Sequence, residues 1–354
     1  MRKHKIAVVP GDGIGPEVIG AGLKVLNAAA ELDGGFSLET EHFDWGSDRY
    51  RKTGRMMPED GVERLRSFDS IYFGAVGDPK IPDHITLWEL RLAICQGLDQ
   101  FANIRPTRLM PGMQGPLRPE LGKQIDWVIV RENSEGEYAG VGGRVHTGLP
   151  LETGIDVSVF TRKGVERICR FACELAMSRP RKRLTVVTKS NAQRHGMVLW
   201  DAICREVLRD FPELNVDFKL VDAMAALMVT RPAEIDTVVA TNLHADILSD
   251  LASALTGSLG NGATANINPS GETPSMFEPI HGSAFDLIGK GQANPIGAFW
   301  TGAMMLEHVG EATAAKRLMA AIETVTANGP RTPDLGGQAG SADVTEAVLS
   351  ALRG

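Results

Sequence analysis

Two aspartates four residues apart, Asp246 and Asp250 in NLHADILSD, are the first candidates for chemistry in this chain. Leu248 and Leu251 suit a helix here, so both carboxylates would project from one face. Like charges at that spacing repel unless a cation lies between them, and oxygen ligands suit Mg²⁺ or Mn²⁺. Asp222, at the predicted end of another strand, is a natural third ligand. The alternative is a solvated acidic face, but the pair directly follows an apolar strand, where open α/β sheets bind ligands.

Three other side chains could act beside such a metal. Lys189 in TVVTKSN and Arg131 in VIVREN closely follow apolar strands, either at the rim of a site or where the chain reaches water. Tyr138 is one of three tyrosines and lies in ENSEGEYAGVGG, which we predict to be a polar, glycine-rich loop. Together these residues offer an anion-binding group, a base and a proton donor.

The elements that would position these residues are short apolar strands separated by segments of helical periodicity. The predicted strands are 5–10, 70–76, 126–133, 184–190, 216–223 and 236–242. Strands that alternate with helices predict an α/β protein with a largely parallel sheet, and their continuous apolar character indicates that both faces are covered. The Gly- and Pro-rich stretch 257–282 is too long for an ordinary connection, which favours a ligand-binding loop.

The amino-terminal segment VVPGDGIGPEV predicts a strand, a tight turn and a helix that opens at Pro16. Its glycines are Gly11, Gly13 and Gly15, so the GxGxxG spacing of a dinucleotide fingerprint is absent. The turn could contact a ligand or be purely structural, and a standard Rossmann fold is not indicated.

The bulk composition narrows the class of protein. The chain has 354 residues, 43% of them hydrophobic, and a net charge of −7, which allows a large core or two domains and argues against nucleic acid as a partner. The basic cluster RPRKR (179–183) is interpreted as a solvated loop. No apolar run is long enough to span a membrane and no signal peptide is evident, so we expect a cytoplasmic protein with no membrane partner. The four cysteines are few and scattered, which favours reduced, buried thiols.

Seven motifs in order resemble those of the β-decarboxylating dehydrogenases, the family of isocitrate, 3-isopropylmalate, tartrate and D-malate dehydrogenases. The motifs are GDGIGPEV, GAVGDP, ANIRP, VIVRENSEGEYAG, TKSNAQ, NLHADILSD and EPIHGSAFDLIGKGQANPIG, and they cover essentially the whole chain. HITLW, RPRK and GAMML look most like the tartrate/D-malate subgroup.

The resemblance implies an α/β, isopropylmalate dehydrogenase-like two-domain fold, with a large mixed, mainly parallel sheet flanked by helices. Residues 1–100 plus 252–354 would form the cofactor-binding domain, and 101–251 the substrate, metal and dimerisation domain. It also implies a homodimer with shared active sites, in which Lys189 and Asp222 enter the neighbour's site.

The implied reaction is the NAD-dependent and divalent-metal-dependent oxidation, usually with β-decarboxylation, of an (R)-malate-type 2-hydroxy diacid, with tartrate or D-malate as the substrate. Lys189 would accept the C2 hydroxyl proton and Tyr138 would protonate C3 after decarboxylation. The resemblance assigns substrate binding to Arg91, Arg105 and Arg131, and metal binding to Asp222, Asp246 and Asp250. Mg²⁺ or Mn²⁺ is the implied metal, and a monovalent cation such as K⁺ is a further candidate cofactor.

The implied cofactor is NAD, because Asp286 would accept the adenosine ribose hydroxyls and repel a 2′-phosphate. The residues that the resemblance places at the cofactor are Gly74, Ala75, Val76, His281, Gly282, Asp286 and Asn294.

The chain departs from the family at two places. Ala245 in NLHAD stands where glycine is usual, and Cys95 stands where many members carry a substrate-binding arginine. Arg91, one helical turn before Cys95, occupies a position that normally touches the substrate's C3 substituent, and we expect its guanidinium to point into the space that Cys95 leaves. The alternative is a solvated Arg91 and a core Cys95.

Two rival functions belong to the same family. The first is 3-isopropylmalate dehydrogenase, which an apolar residue at position 91 would have favoured, since an isopropyl group would leave a buried guanidinium unpaired. The second is a catalytically silent regulatory subunit of an isocitrate dehydrogenase. Retention of the catalytic tyrosine, lysine and aspartates argues against it.

Overall fold

The computed structural model describes all residues from 1 to 354. Twelve strands are present: β1 Arg2–Gly11, β2 Phe36–His42, β3 Ser70–Ala75, β4 Ala102–Arg108, β5 Asp126–Glu132, β6 Gly136–Val145, β7 Thr153–Val159, β8 Arg183–Thr188, β9 Asn215–Leu220, β10 Thr237–Ala240, β11 Ala263–Ile267 and β12 Ser275–Pro279. The α-helices are α1 Gly15–Asp33, α2 Ser47–Thr53, α3 Gly61–Leu65, α4 Asp83–Thr86, α5 Ala93–Gly97, α6 Pro119–Gly122, α7 Arg162–Ser178, α8 Gly196–Val207, α9 Val221–Thr230, α10 Asn242–Leu255, α11 Ile296–His308, α12 Ala312–Asn328 and α13 Ser341–Arg353. A π-helical segment, Leu87–Leu92, joins α4 to α5.

The chain divides into two compact units. The first comprises residues 1–100, 108–122 and 253–354, and the second comprises 101–107 and 123–252. Residues 108–122 pack with the first unit, whereas the sequence-based division places them in the middle domain. Two contacts explain this: Arg108 pairs with Glu323, and Arg331 donates to the carbonyl of Gly112 at 2.6 Å.

In the first unit the strand order is β2-β1-β3-β12-β11. All neighbouring pairs are parallel except β11 with β12. Helices cover the sheet, and Tyr72 of β3 donates from its hydroxyl to the carbonyl of Ala298 in α11 at 2.7 Å. Buried strand residues and covering helices confirm the predicted α/β class.

In the second unit the order is β4-β5-β10-β8-β9, with parallel pairing from β5 to β9. β6 and β7 form a separate antiparallel ribbon. Tyr138 lies in β6, so the prediction of a loop there is wrong. A strand can form from these polar and glycine residues because the ribbon is largely exposed and does not have to enter the hydrophobic core.

Three other local predictions also need correction. The run 216–223 is a strand only to Leu220, and Asp222 lies in the first turn of α9. The predicted loop 257–282 contains the buried strands β11 and β12. The sequence pattern did not predict these strands because both are short and lie among many glycine and polar residues. The cluster RPRKR is not simply solvated, since Arg179 and Arg181 both pair with the buried carboxylate of Asp236.

All four cysteines are free and buried, as predicted. No helix combines the length and apolar character required to cross a membrane.

Candidate active site

The aspartate pair lies on α10 in the second unit and meets two buried arginines. Arg105 Nη2 lies 3.1 Å from Asp246 Oδ1, and Arg131 Nη2 lies 3.9 Å from the same oxygen. Burial and the nearby charge of Asp246 raise the pKa of Asp250. The positive charge of Arg105 partly opposes this upward shift. The arrangement therefore combines two cationic groups that suit carboxylates with two carboxylates whose mutual repulsion a cation would relieve.

The two arginines lie in the adjacent strands β4 and β5 and are held in place by hydrogen bonds. Arg105 donates from Nε to Asn103 Oδ1 at 2.7 Å and from Nη1 to the hydroxyl of Ser249. Arg131 donates from Nε to the carbonyl of Asn242 at 3.1 Å and from Nη1 to the side chain of Asn133. Buried guanidinium groups fixed in this way need little reorganisation to bind an anion.

Sequence reasoning missed these supporting residues. Asn103, Asn133 and Asn242 are buried polar side chains inside quoted motifs, and each lies at or beside the end of a strand. An asparagine two residues from an arginine in both ANIRP and VIVREN was the available signal.

Tyr138 lies next to the arginine cluster. The Arg131 Cζ atom is 5.3 Å from the centroid of the tyrosine ring, which is within the range of a cation–π contact. This contact connects the predicted proton donor to the predicted anion-binding residue.

Lys189 and Asp222 contact each other. Lys189 follows β8, Asp222 lies in α9, and Nζ is 2.5 Å from Oδ1. The hydrogen bond from Lys189 lowers the pKa of Asp222. Within one chain no group of three His, Cys, Asp or Glu side chains is close enough together to hold a metal ion, so Asp222 does not complete a three-ligand group with Asp246 and Asp250.

His244, in the NLHAD motif, is buried on α10, and its Nδ1 atom has no hydrogen-bond partner. Burial lowers the pKa of His244; the charge of Glu137 opposes this shift and that of Lys189 adds to it. The neighbouring Ala245 is fully buried.

In the first unit, the GDG turn joins two of the predicted cofactor segments. Gly11 and Gly13 adopt φ of +70° and +62°, and a Cβ at either position would lie within 2.0 Å of a carbonyl oxygen, that of Ala75 or that of Ser283. The side chain of Asp12 accepts hydrogen bonds from the backbone of Ser47 at 2.6 Å and of Gly77 at 3.0 Å. Glycine is therefore required here for close backbone approach.

The other predicted cofactor residues surround the loop after β12. Asn294 donates to Asn261 and Asp334 at 2.9 Å each and lines a cavity of about 140 Å³ together with Asp334 and Arg331. His281 has a buried Nε2 atom without a partner, and burial lowers the pKa of this histidine. Asp286 is exposed in a short helical turn.

Arg91 lies in the π-helical segment and is buried. Its Nε and Nη2 atoms lie 2.8 and 2.7 Å from Glu278 Oε1, and Nη2 lies 3.3 Å from Asn266 Oδ1. Cys95 lies in a hydrophobic cluster that includes Phe43 and Met56. The π-helical segment ends at Leu92, and Cys95 lies in the α-helix that follows it, α5.

Comparison with known proteins gives consistent results. Residues 5–348 match the family model described as isocitrate/isopropylmalate dehydrogenase. The chain is 63% identical over 354 residues to a probable tartrate dehydrogenase/decarboxylase of Agrobacterium vitis, covering 100% of this chain and 99% of the relative. It is 48% identical to the decarboxylating D-malate dehydrogenase of Escherichia coli K12, covering 99% of each. The crystal structure of isocitrate dehydrogenase from Methylococcus capsulatus superposes with a TM-score of 0.89 at 35% identity, covering 99% of this chain and 100% of that one.

Proposed function

Because this chain belongs to the isocitrate/isopropylmalate dehydrogenase family, we propose that it catalyses the NAD-dependent, divalent-metal-dependent oxidation of tartrate and D-malate, with β-decarboxylation. The observation that carries this proposal is the convergence of Arg105 and Arg131 on Asp246, beside an Asp250 with a raised pKa. A dicarboxylate and a divalent cation together satisfy those charges. The named activities of the relatives agree with this reading.

In the proposed reaction each of these residues has a separate role. Arg105 and Arg131 bind the substrate carboxylates and hold the C2 hydroxyl at the base. Lys189 accepts the hydroxyl proton, and Tyr138 donates a proton to C3 after the β-carboxylate has left as CO₂ and its bonding electrons have remained on the substrate. When bound, Mg²⁺ or Mn²⁺ would stabilise negative charge on the substrate's C2 oxygen, and NAD would accept the hydride from C2. Asp246 and Asp250 would hold the metal.

The active site is shared between two copies of the chain in this proposal. Lys189 and Asp222 contact each other in one chain, so they would enter the neighbour's site together. The ribbon of β6 and β7 supports a homodimer because it exposes several large apolar side chains, which are Val141, Val145, Leu149, Leu151, Ile155 and Val157. Exposed apolar side chains that cluster in one segment typically mark a protein interface.

The proposed cofactor is NAD. Asp286 would accept hydrogen bonds from the adenosine ribose, while Gly74, Ala75, Val76 and Gly282 approach the cofactor through their backbone. The buried Nε2 atom of His281 has no hydrogen-bond partner, and a cavity lies beside Asn294. Both features suit a polar, planar group. We also place the enzyme in the cytoplasm, with K⁺ as a candidate activator.

The test is a substrate panel. Purified protein with NAD⁺ and Mn²⁺ should reduce NAD⁺ with tartrate and D-malate at a kcat/KM at least about tenfold above that with 3-isopropylmalate or isocitrate, a difference of about 1.4 kcal/mol. A preference for 3-isopropylmalate would assign the chain to that activity instead. Failure to reduce NAD⁺ with any of these acids would favour the silent regulatory subunit.

A further inference from the structure

Asn242 links three parts of the candidate site, all of them in the second unit. It is the first residue of α10, the helix that carries Asp246 and Asp250, and it is only 1% exposed. Its backbone carbonyl accepts a hydrogen bond from Arg131 Nε at 3.1 Å. Its side-chain oxygen accepts one from the backbone N–H of Glu137 at 3.1 Å. Asn242 therefore connects the aspartate helix to β5 and to the start of β6.

The amide side chain of Asn242 packs directly against the backbone that precedes Tyr138. Gly136 adopts φ of +71°, and a Cβ there would lie 2.9 Å from Asn242 Oδ1 and 3.0 Å from Nδ2. Nδ2 also donates to the carbonyl of Glu135. The amide thus binds the backbone on both sides of Gly136, through its donor to Glu135 and its acceptor to Glu137. Glycine is required at position 136 for this close approach.

A buried carboxylate fixes the turn between β5 and β6. Glu132 is 2% exposed, and it accepts hydrogen bonds from the backbone N–H groups of Ser134 at 2.8 Å and Glu135 at 3.0 Å. Asn242 Nδ2 lies 3.4 Å from Glu132 Oε2. A buried carboxylate is costly unless donors such as these satisfy it, so the set of donors favours one fixed conformation of the turn.

This junction determines where Tyr138 lies. Tyr138 directly follows Glu137, and the centroid of its ring lies 5.3 Å from Arg131 Cζ. Asn242 binds both the backbone of Glu137 and the guanidinium of Arg131, so it holds the tyrosine and the arginine together. Proton transfer requires heavy atoms within about 2.6–3.2 Å of each other, and a small shift of this backbone would therefore slow it.

We propose that Asn242, supported by Glu132, is a positioning residue that holds Tyr138 for proton delivery to C3, an inference that rests on the proposed function. The side chain has this role, because Arg131 is bound by the backbone carbonyl, which a substitution retains. In the proposed reaction the hydride leaves C2 before Tyr138 acts, and the decarboxylated product gains its proton afterwards. Loss of the amide should therefore spare NADH formation in the first turnover and slow the later turnovers.

The test is the pre-steady-state time course of NADH with D-malate, NAD⁺ and Mn²⁺. Asn242→Ala should form about one NADH per active site in a first turnover as fast as that of the wild type, and its later steady-state rate should be at least about tenfold below wild type. A lesion that only inactivates part of the protein would lower the first turnover and the steady state together. In Tyr138→Phe, the added Asn242→Ala should change the steady-state rate by less than about twofold, because Asn242 acts through Tyr138.

The matched control is Thr185→Val. Thr185 is a buried polar side chain of the same unit, and its hydroxyl donates to Asp217 Oδ1 at 2.7 Å near the start of β8. Both phases of its time course should match those of the wild type. If Asn242→Ala does not fold, Asn242→Asp retains an acceptor for Glu137 and loses the donor to Glu135, and it should give the same slow steady state.

Fluorine NMR of protein labelled with 3-fluorotyrosine tests the inference without turnover. The chain has three tyrosines, and the resonance that disappears in Tyr138→Phe belongs to Tyr138. This resonance should shift or broaden in Asn242→Ala and stay in place in Thr185→Val.

Three results would each overturn the inference. They are a wild-type steady-state rate in the Asn242 variant, additive effects of Asn242→Ala and Tyr138→Phe, and an unmoved Tyr138 resonance. Wild-type protein that reduces no NAD⁺ would instead count against the proposed function, and the NMR measurement would still decide whether Asn242 positions Tyr138.

Discussion

Lys189 Nζ lies 2.5 Å from Asp222 Oδ1 within one chain, so the proposed base and a proposed metal ligand are hydrogen-bonded to each other. The hydrogen bond from Lys189 lowers the pKa of Asp222. We therefore expect the two residues to contribute to the same active site.

Substitution of Asp222 should weaken metal activation. Asp222→Asn removes a metal ligand and the partner of Lys189, so the Mn²⁺ concentration for half-maximal activity should rise at least about tenfold. The measurement is a Mn²⁺ titration at saturating NAD⁺ and diacid. Glu213→Gln is the matched control, since Glu213 forms a Lys–carboxylate contact of the same length with Lys182 on an exposed surface. Equal metal dependence in both variants would exclude Asp222 from the metal site.

Mixed dimers should test the shared site. Lys189→Ala and Asp246→Asn should each be inactive alone, but co-expression should restore about a quarter of wild-type activity, since half the dimers are mixed and each has one intact site. The control is Asp246→Asn with Asp250→Asn, whose lesions fall in the same half of the site and should not complement. Recovery in the control, or none in the first mixture, would contradict a site built from two chains.

Asp286 should determine the cofactor. Asp286→Lys removes an acceptor for the ribose hydroxyls and supplies a cation for a 2′-phosphate. The NAD⁺ to NADP⁺ ratio of kcat/KM should fall at least about tenfold, equivalent to about 1.4 kcal/mol. Glu272→Lys introduces the same charge change at another exposed position of the first unit and should leave the ratio unchanged. An equal shift in both variants would indicate a general charge effect.

The contribution of Glu311 to stability should depend on pH. Hydrogen bonds from Arg2 and His4 lower its pKa to about 2, against an opposing effect of burial. A carboxylate with a depressed pKa stabilises the fold above its unfolded-state pKa, and that stabilisation is lost as the pH falls through the folded-state value. The free energy of unfolding of Glu311→Gln, from urea titrations, should be below that of the wild type at pH 7, and the difference should narrow below pH 4.5. A constant difference across this range would contradict the assignment.

Much of the fold was predictable from sequence because the strands that enter the sheets are continuous apolar runs, such as β5 and β8. The failures have local physical causes. β6 is rich in glycine and contains few apolar residues, so Tyr138 was predicted to lie in a loop. The boundary between β9 and α9 lies inside an apolar run, so Asp222 was predicted to end a strand when it begins a helix.

The candidate site was predictable where the chemistry depends on residue type and strand ends, as for Arg131 and Asp246. It was not predictable where one residue depends on a distant one. Arg91 and Glu278 are separated by 187 positions, and no local pattern relates them. The π-turn at Arg91 likewise leaves no signature in hydrophobic periodicity.

The most direct test of the proposed function is the stoichiometry of the reaction. NADH and CO₂ should be followed separately with D-malate, NAD⁺ and Mn²⁺, before and after chelation with EDTA. We expect equal amounts of NADH and CO₂, loss of both after chelation and recovery of both when Mn²⁺ is restored. NADH formation that persists without a divalent metal, or no NADH formation with either D-malate or tartrate, would contradict the account.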